Sequence, residues 1–481
     1  MMRWLTGVAV GLALVAAGCG GTTSQIGTGA SGLVPASAPA FIAVDTDPGS
    51  SQWQTIDQLA SRFPGKQKAI DSLKADLRKQ GVDWEADVKP ALGKELDFAW
   101  LDFENNGRDF VLLVQPQDES KFQAFVRKAN ASEKDPSNRA VYDRFQGWEV
   151  VAPERSTIDR FEKASGSGAP LADQAAFKQS MDRLGGNSLV RAYVNGKFLM
   201  NLARTYGGAQ IQPYLDKLGT LDWIALRLGA TSAGVGMDTI VHGTPGKLFK
   251  GAPSSSAFSP KLLGTVPQDA LLYLTFHGSK GMFSGLQQNA LFNTPQYRQF
   301  ARPLQQIGQV LEGENAVYVR PAGGSVPEVT FVAEPAKGTD GTALLDRLVR
   351  RYAHSVPKVQ YVNGAEVHGL AAGNGIGLYY ANVGGKLVVT DHAGGIKAIG
   401  NGKPLGDSSE FKDAKDSSGL PGKTYGFLYV NISSSIPLVE KLSHSKLPAE
   451  VERNVKPLHS AMEYAVSHSH EFQVTFFLRI K

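Results

Sequence analysis

Two stretches of this chain run through the same motifs in the same order, and that repetition constrains the fold more than any composition figure. Val34-Pro35-Ala36-Ser37-Ala38 leads into the apolar run Ala40 to Asp45, and Val266-Pro267-Gln268-Asp269-Ala270 leads into Leu271 to Phe276. A helical region follows each, roughly Gln54 to Gln80 and Gly285 to Leu311. Leu92-Gly93-Lys94-Glu95 then matches Leu311-Glu312-Gly313-Glu314 ahead of a strand. Phe110 to Gln115 and Val329 to Glu334 read as paired strands, each preceding an amphipathic helix, near Glu119 to Ala129 and Thr342 to Tyr352. Pro170-Leu171-Ala172-Asp173 with Phe177-Lys178 is matched by Pro404-Leu405-Gly406-Asp407 with Phe411-Lys412. Ala192-Tyr193-Val194-Asn195 and Leu428-Tyr429-Val430-Asn431 close the series. Motifs recurring in order at similar spacing indicate a duplicated unit.

Each unit reads as α+β. Strand-like alternation dominates at Phe98 to Phe103, Val111 to Val114, Leu387 to Thr390 and Phe472 to Leu478. Short Gly-bearing connections predict a mainly antiparallel sheet, with helices packed on one face. The 53 glycines among 481 residues lie mostly between these apolar runs, where turns need them. The expected organisation is a signal peptide over 1–18, a flexible tether over 19–32, a first repeat over 33–250, a linker over 251–264 and a second repeat over 265–481. The tether follows from the Gly/Thr/Ser-rich stretch Gly20 to Gly32, and the linker from the composition of Gly251 to Pro260.

The N-terminus predicts an address. Arg3 supplies a short basic region, Leu5 to Ala17 is apolar, and Ala16-Ala17-Gly18 leads into Cys19. An apolar run of roughly 13 residues falls short of the ~20 that cross a bilayer as a helix. Small residues before a cysteine are what a lipoprotein signal peptidase accepts, so the expectation is cleavage before Cys19 and acylation of its thiol. Cys19 is the single cysteine of the chain. The mature body is therefore expected to hold no disulfide, no Cys-ligated metal and no thiol nucleophile. The last strand ends beside the C-terminus, and no second membrane segment is expected. The predicted location is the extracytoplasmic face of the cell membrane, held by lipid. A net charge of +5, with both signs interspersed, gives no nucleic-acid signature.

Polar residues that serve a repeated fold recur in both halves, whereas a single catalytic site need not. Asp173 and Asp407 recur, each ahead of a helix-like stretch, and read as helix caps, with Glu410 completing a capping box. Asp45-Thr46-Asp47-Pro48 places two carboxylates at i and i+2; it reads as a strand-to-helix turn rather than a metal site. All nine histidines lie at or after His242. His468-Ser469-His470-Glu471 has metal-like alternation but reads as a polar hairpin loop, with His444 and His459 as distant candidates to join it. Ser409-Glu410-Phe411-Lys412 and Ser443-His444-Ser445-Lys446 fit Ser-x-x-Lys, but the companion motifs of penicillin-binding proteins are absent and Ala175 stands at the position of Ser409 in the first half. Gly373-Asn374-Gly375-Ile376-Gly377 leads into a strand and reads as a turn rather than a phosphate cradle. No catalytic residue, cofactor or metal ligand is assigned.

The order of elements resembles the DUF3352 family of exported and membrane-attached bacterial proteins. The residues that carry the resemblance are Val34-Pro35-Ala36 through Val44-Asp45-Thr46-Asp47-Pro48, Phe63-Pro64-Gly65, Val88-Lys89-Pro90-Ala91-Leu92-Gly93-Lys94-Glu95, and the Val111 to Gln115 strand with its helix. The resemblance implies architecture and location, and no activity. The functional expectation is a non-catalytic binding or scaffolding protein of the cell envelope, its ligand (lipid, glycan or peptide) lying between the halves. The alternatives are a carrier of lipid or another hydrophobic ligand, and a hydrolase of envelope polymers using the His-bearing second half.

Overall fold

The computed structural model describes residues 26–27, 29–208, 212, 215, 219–244, 257–278, 306–308, 310–322, 326–373 and 376–481. Among them are eighteen strands, joined in one sheet. The first eight are β1 (Ala40–Asp45), β2 (Glu95–Trp100), β3 (Phe110–Val114), β4 (Val141–Phe145), β5 (Trp148–Ala152), β6 (Val190–Asn195), β7 (Trp223–Thr231) and β8 (Gly234–His242). The rest are β9 (Leu272–His277), β10 (Glu314–Arg320), β11 (Glu328–Ala333), β12 (Lys358–Val362), β13 (Ala365–Gly373), β14 (Ile376–Val383), β15 (Lys386–His392), β16 (Gly426–Asn431), β17 (Leu458–His468) and β18 (Glu471–Ile480). The class is α+β, and every pairing between these strands is antiparallel.

The pairing order of the first eight strands is β4-β5-β3-β2-β1-β6-β7-β8. The later strands pair as β14-β15-β11-β10-β9-β16-β17-β18, with the hairpin partner β13 and then β12 added at the outer end. The two orders correspond strand for strand, and they meet through β8 and β18, which occupy the same place in each. Gly234 opens β8 after the β7–β8 turn, and Glu471 opens β18 after the β17–β18 turn. Asp238 and Thr475 lie the same distance beyond those residues and pair with each other. An approximate two-fold axis therefore passes through that pair, an isologous contact within one chain.

Local chemistry recurs with the topology. Gln174 and Ser408 precede the helices Ala175–Leu184 and Ser409–Ser418, which end at Gly185 (φ 70°) and Gly419 (φ 71°). A residue with a Cβ pays to adopt that φ, so glycine stops both helices. The helices bury Phe177 and Phe411 against one sheet face. Phe177 meets Tyr193 edge-on with centroids 5.3 Å apart, and Phe411 meets Tyr429 at 5.2 Å. We call this the aromatic-core face; it carries the largest cluster of each half.

The covering of the sheet differs from the expected single layer of helices. On β3, Val111 and Leu113 belong to the aromatic-core side, while Leu112 and Val114 face a second core with Phe122 and Phe125 of the helix Glu119–Ser132. A strand apolar at both parities needs cover on both faces. The helices Ser51–Ala60 and Lys66–Lys79 complete that second layer, and Val310, Leu311 and the helix Gly341–Leu348 form a smaller one at the other end. Most of the expected second-half helical region, 285–305 and 309, lies outside the described residues, while 306–308 are helical.

The expected tether and linker end sooner than composition implied. Ile26 and Ala30 are buried in the first core, and Gly27 donates its N–H to Glu95 at 2.9 Å. Phe258 bridges to Thr424, and Leu262 is fully buried. An isolated apolar residue in a Gly/Ser-rich stretch suffices to dock it once a core lies within reach.

Candidate functional site

The residues singled out in the sequence fall into separate places. Asp45 accepts the Asp47 N–H at 3.0 Å, Asp47 accepts that of Gly49 at 2.9 Å, and Ser50 caps the following helix through Trp53. This is the strand-to-helix turn. Asp173 and Asp407 are not the caps expected: each closes a short 3-10 turn one residue early. Ser408 instead accepts the Phe411 N–H at 3.1 Å, and Glu410 interacts with Ser409 rather than closing a capping box. The two aspartates pair with lysines, Asp173 with Lys178 at 3.2 Å and Asp407 with Lys412 at 3.5 Å. Their recurrence serves the fold.

Lys412 is thus engaged with Asp407, and the single Ser443 hydroxyl proton is within reach of the Ser445 carbonyl at 3.0 Å and the Glu440 carbonyl at 3.2 Å. Gly373 ends β13 and Ile376 opens β14, and residues 374–375 lie outside the described residues. Residues 1–25, Cys19 among them, also lie outside it.

The four candidate histidines do not come together, although His468 and His470 border one recess with His242. His444 ends the helix Ile432–Ser443, and His459 lies 3.8 Å from Asp413, at the opposite end of β17 from His468. His470 meets a residue the sequence did not connect with it: His242, whose ring centroid is 6.3 Å away. His242 stacks on Trp223 at 4.9 Å and approaches Asp222 at 3.1 Å. Arg183 of the first half holds Glu471 of the second at 2.7 Å, and these side chains border a polar recess of about 400 Å³ at the seam. Near the two-fold axis, Asp238 accepts from Arg227, Gln473 and Thr475. The seam on the aromatic-core face is a polar tie between halves.

The opposite face is chemically different. The register aligns Leu228, Met237, Phe476, Glu463, Leu428, Leu274 and Val317 across β7-β8-β18-β17-β16-β9-β10. The neighbouring row runs Ala192, Leu226, Thr239, Val474, Ala465, Gly426 and Phe276. Met237, Leu274 and Phe472 remain 37%, 37% and 43% exposed, and Leu226, Leu228, Val474 and Phe476 are half-buried. Seven strands at ~4.8 Å spacing make this apolar strip about 29 Å long.

Two amphipathic helices accompany the strip. Asn195 caps the helix Gly196–Tyr206, and Asn431 caps Ile432–Ser443, at 3.1 and 3.0 Å. Neither buries a large apolar side chain, although the first carries Phe198, Leu199, Met200 and Leu202 and the second Ile436, Leu438, Val439 and Leu442. Phe198 packs edge-on against Phe103, which meets Trp100, and Trp100 stacks with Phe98. Phe98 and Trp100 project from β2 on the strip's side, so the strip ends in an aromatic cluster.

The fold and this face define an α+β protein of two like-ordered sheet halves sharing an incompletely covered apolar surface. Residues 4–467 match the family described as "Protein of unknown function (DUF3352)", and the chain belongs to that family. No curated protein matches it. Two solved structures are similar over part of the chain. "Structure of crystal form III of TP0453" is 14% identical, covers 46% of this chain and 80% of that one, and has a TM-score of 0.27. "Structure of crystal form I of TP0453" is 14% identical, with 46% and 79% covered and a TM-score of 0.23. Likeness at that level carries nothing about what this chain does.

Proposed function

We propose that this is a non-catalytic cell-envelope lipoprotein, anchored through an acylated Cys19, that binds an apolar or amphipathic ligand along the strip. The single observation that carries the reading is the pair of transverse rows, apolar except for Glu463 and Thr239, crossing the seam with exposed members on both sides of it. Burying each such side chain against a ligand contributes about 1.5–3 kcal/mol, less what exposure has already been lost. A lipid chain fits that chemistry better than a glycan, which would need donors and acceptors where these rows present methyl and phenyl groups. Among the described residues no helix is long and apolar enough to cross a membrane, so attachment on this reading rests on the lipid.

Two measurements test it. Cys19→Ala is expected to move the protein out of the membrane fraction; undiminished membrane association would remove the anchor. The chain from Gly20 onward is expected to bind a fluorescent long-chain acyl probe saturably, with competition by unlabelled phospholipid. A non-saturating signal equal to that of an unrelated protein would remove the ligand reading.

A further inference from the structure

The segment that enters the first half crosses a buried charge cluster that the second half lacks. The Gly27 N–H donates to Glu95 at 2.9 Å, and Arg191 donates to the Ile26 carbonyl at 3.1 Å and to the Met181 carbonyl. Arg191 and Asp97 flank Ala43 in register across β6-β1-β2, on the same face. Gly27 lies directly over Ala43: a Cβ on Gly27 would sit 3.1 Å from the Ala43 Cβ. Its backbone thus occupies the space between the guanidinium and the carboxyl.

Part of this arrangement is structural. Glu314, the counterpart of Glu95, accepts N–H groups from Lys261 at 2.6 Å and Leu262 at 3.2 Å as the second half begins. Asp97 and Arg191 have no such excuse, since Ala316 and Phe427 stand at the corresponding register positions. Asp97 is fully buried and neither carboxyl oxygen has a donor; the Arg191 Nε has no acceptor. An ionised carboxylate without donors in that setting is strongly disfavoured, and burial favours the protonated form instead.

We propose that a protonated Asp97 donates to Glu95, and that this shared proton is a latch: while it is present Ile26–Gly27 stays clamped, and when it leaves, Arg191 turns to Asp97 and the segment lifts off. The proton passes to solvent and no covalent bond changes. Burial pushes the Asp97 carboxyl well above the ordinary range, and the Glu95 charge pushes the same way; burial raises Glu95 too. The docked state therefore binds more protons than the released one. Docking is strongest below the ordinary carboxylate range and is lost as pH rises through the raised values. The other charged groups facing the cluster are Asp45, opposite Glu95 on β1 with its Oδ1 held by the Asp47 N–H, Asp182 of the helix Ala175–Leu184, which favours the Arg191 cation, and Arg227, opposite Arg191 on β7, which opposes it.

Amide hydrogen exchange of the full chain tests this at residues 26–30. Corrected for intrinsic rate, protection is expected to fall at least ten-fold between about pH 5 and pH 8, while protection of β6 and β7 holds. Asp97→Asn keeps the shape, removes the titration and is expected to flatten the profile at the protected level; Glu95→Gln removes the charge that helps hold the Asp97 carboxyl up and is expected to shift the loss to lower pH. Infrared spectroscopy of the wild-type protein at pH 5 is expected to show a protonated buried carboxyl that Asp97→Asn removes. Flat protection in the wild type, or an unaltered pH profile in Asp97→Asn, would overturn the latch.

Discussion

Phe411→Ala and Phe177→Ala are each expected to destabilise the protein by about 3–5 kcal/mol, read from urea unfolding followed by tryptophan fluorescence and circular dichroism. Phe411 is 1% exposed and touches Phe427 and Tyr429, with centroids 5.8 and 5.2 Å away. Phe177 is 4% exposed and touches Phe41 and Tyr193, at 5.6 and 5.3 Å. Each truncation leaves a cavity under a sheet that cannot collapse into it, because the strands above are held by pairing on both sides. The continuous ladder at β8–β18 adds a stronger expectation: both variants should move a single shared transition. If Phe411→Ala lowered one transition and left a second untouched, the halves would be folding independently and the seam would be a weak contact.

The second large effect falls on the strip. Met237→Lys combined with Leu274→Lys is expected to weaken acyl-probe affinity at least ten-fold, about 1.4 kcal/mol. The same variant should change stability by only about 0.5 kcal/mol, because a lysine at a site more than a third exposed lays its stem on the surface and keeps its charge in water. The two positions lie on opposite sides of the seam, so each half loses one contact. Tyr361→Lys is the control: Tyr361 is 74% exposed on β12, at the outer end of the sheet, and should leave affinity unchanged. Loss of affinity in Tyr361→Lys and none in the strip variant would move the site to that edge.

Much of this architecture was legible in the chain. The first strand runs over Ala40–Asp45, where the repeated motif places an apolar run, and Tyr193 and Tyr429 sit at matched places in matched strands. Short-range chemistry was readable because it depends on neighbours a few residues apart. The helix is capped by Ser408, one residue beyond the expected Asp407, because a 3-10 turn precedes it and no side-chain pattern announces where that turn stops. The site was less legible. Alternation in Phe472–Leu478 marks which side chains share a face, but only the β8–β18 pairing sets Phe476 beside Met237 and extends two short rows into one strip. Nothing in the local sequence singles out Asp97. Its meaning comes from Arg191, two strands away, and from a backbone segment lying between them that composition had marked as tether.

The central claim is that the strip holds an apolar ligand, and photo-crosslinking tests it most directly. A phospholipid carrying a photoreactive group near the end of its acyl chain would be bound to the chain from Gly20 onward, irradiated, and the adducts mapped by peptide mass spectrometry. The account predicts adducts concentrated on 223–242, 426–431 and 471–480, suppressed by excess unlabelled lipid and by the double lysine variant. Adducts scattered over the surface without competition, or concentrated on the outer strands β4 and β12, would contradict it.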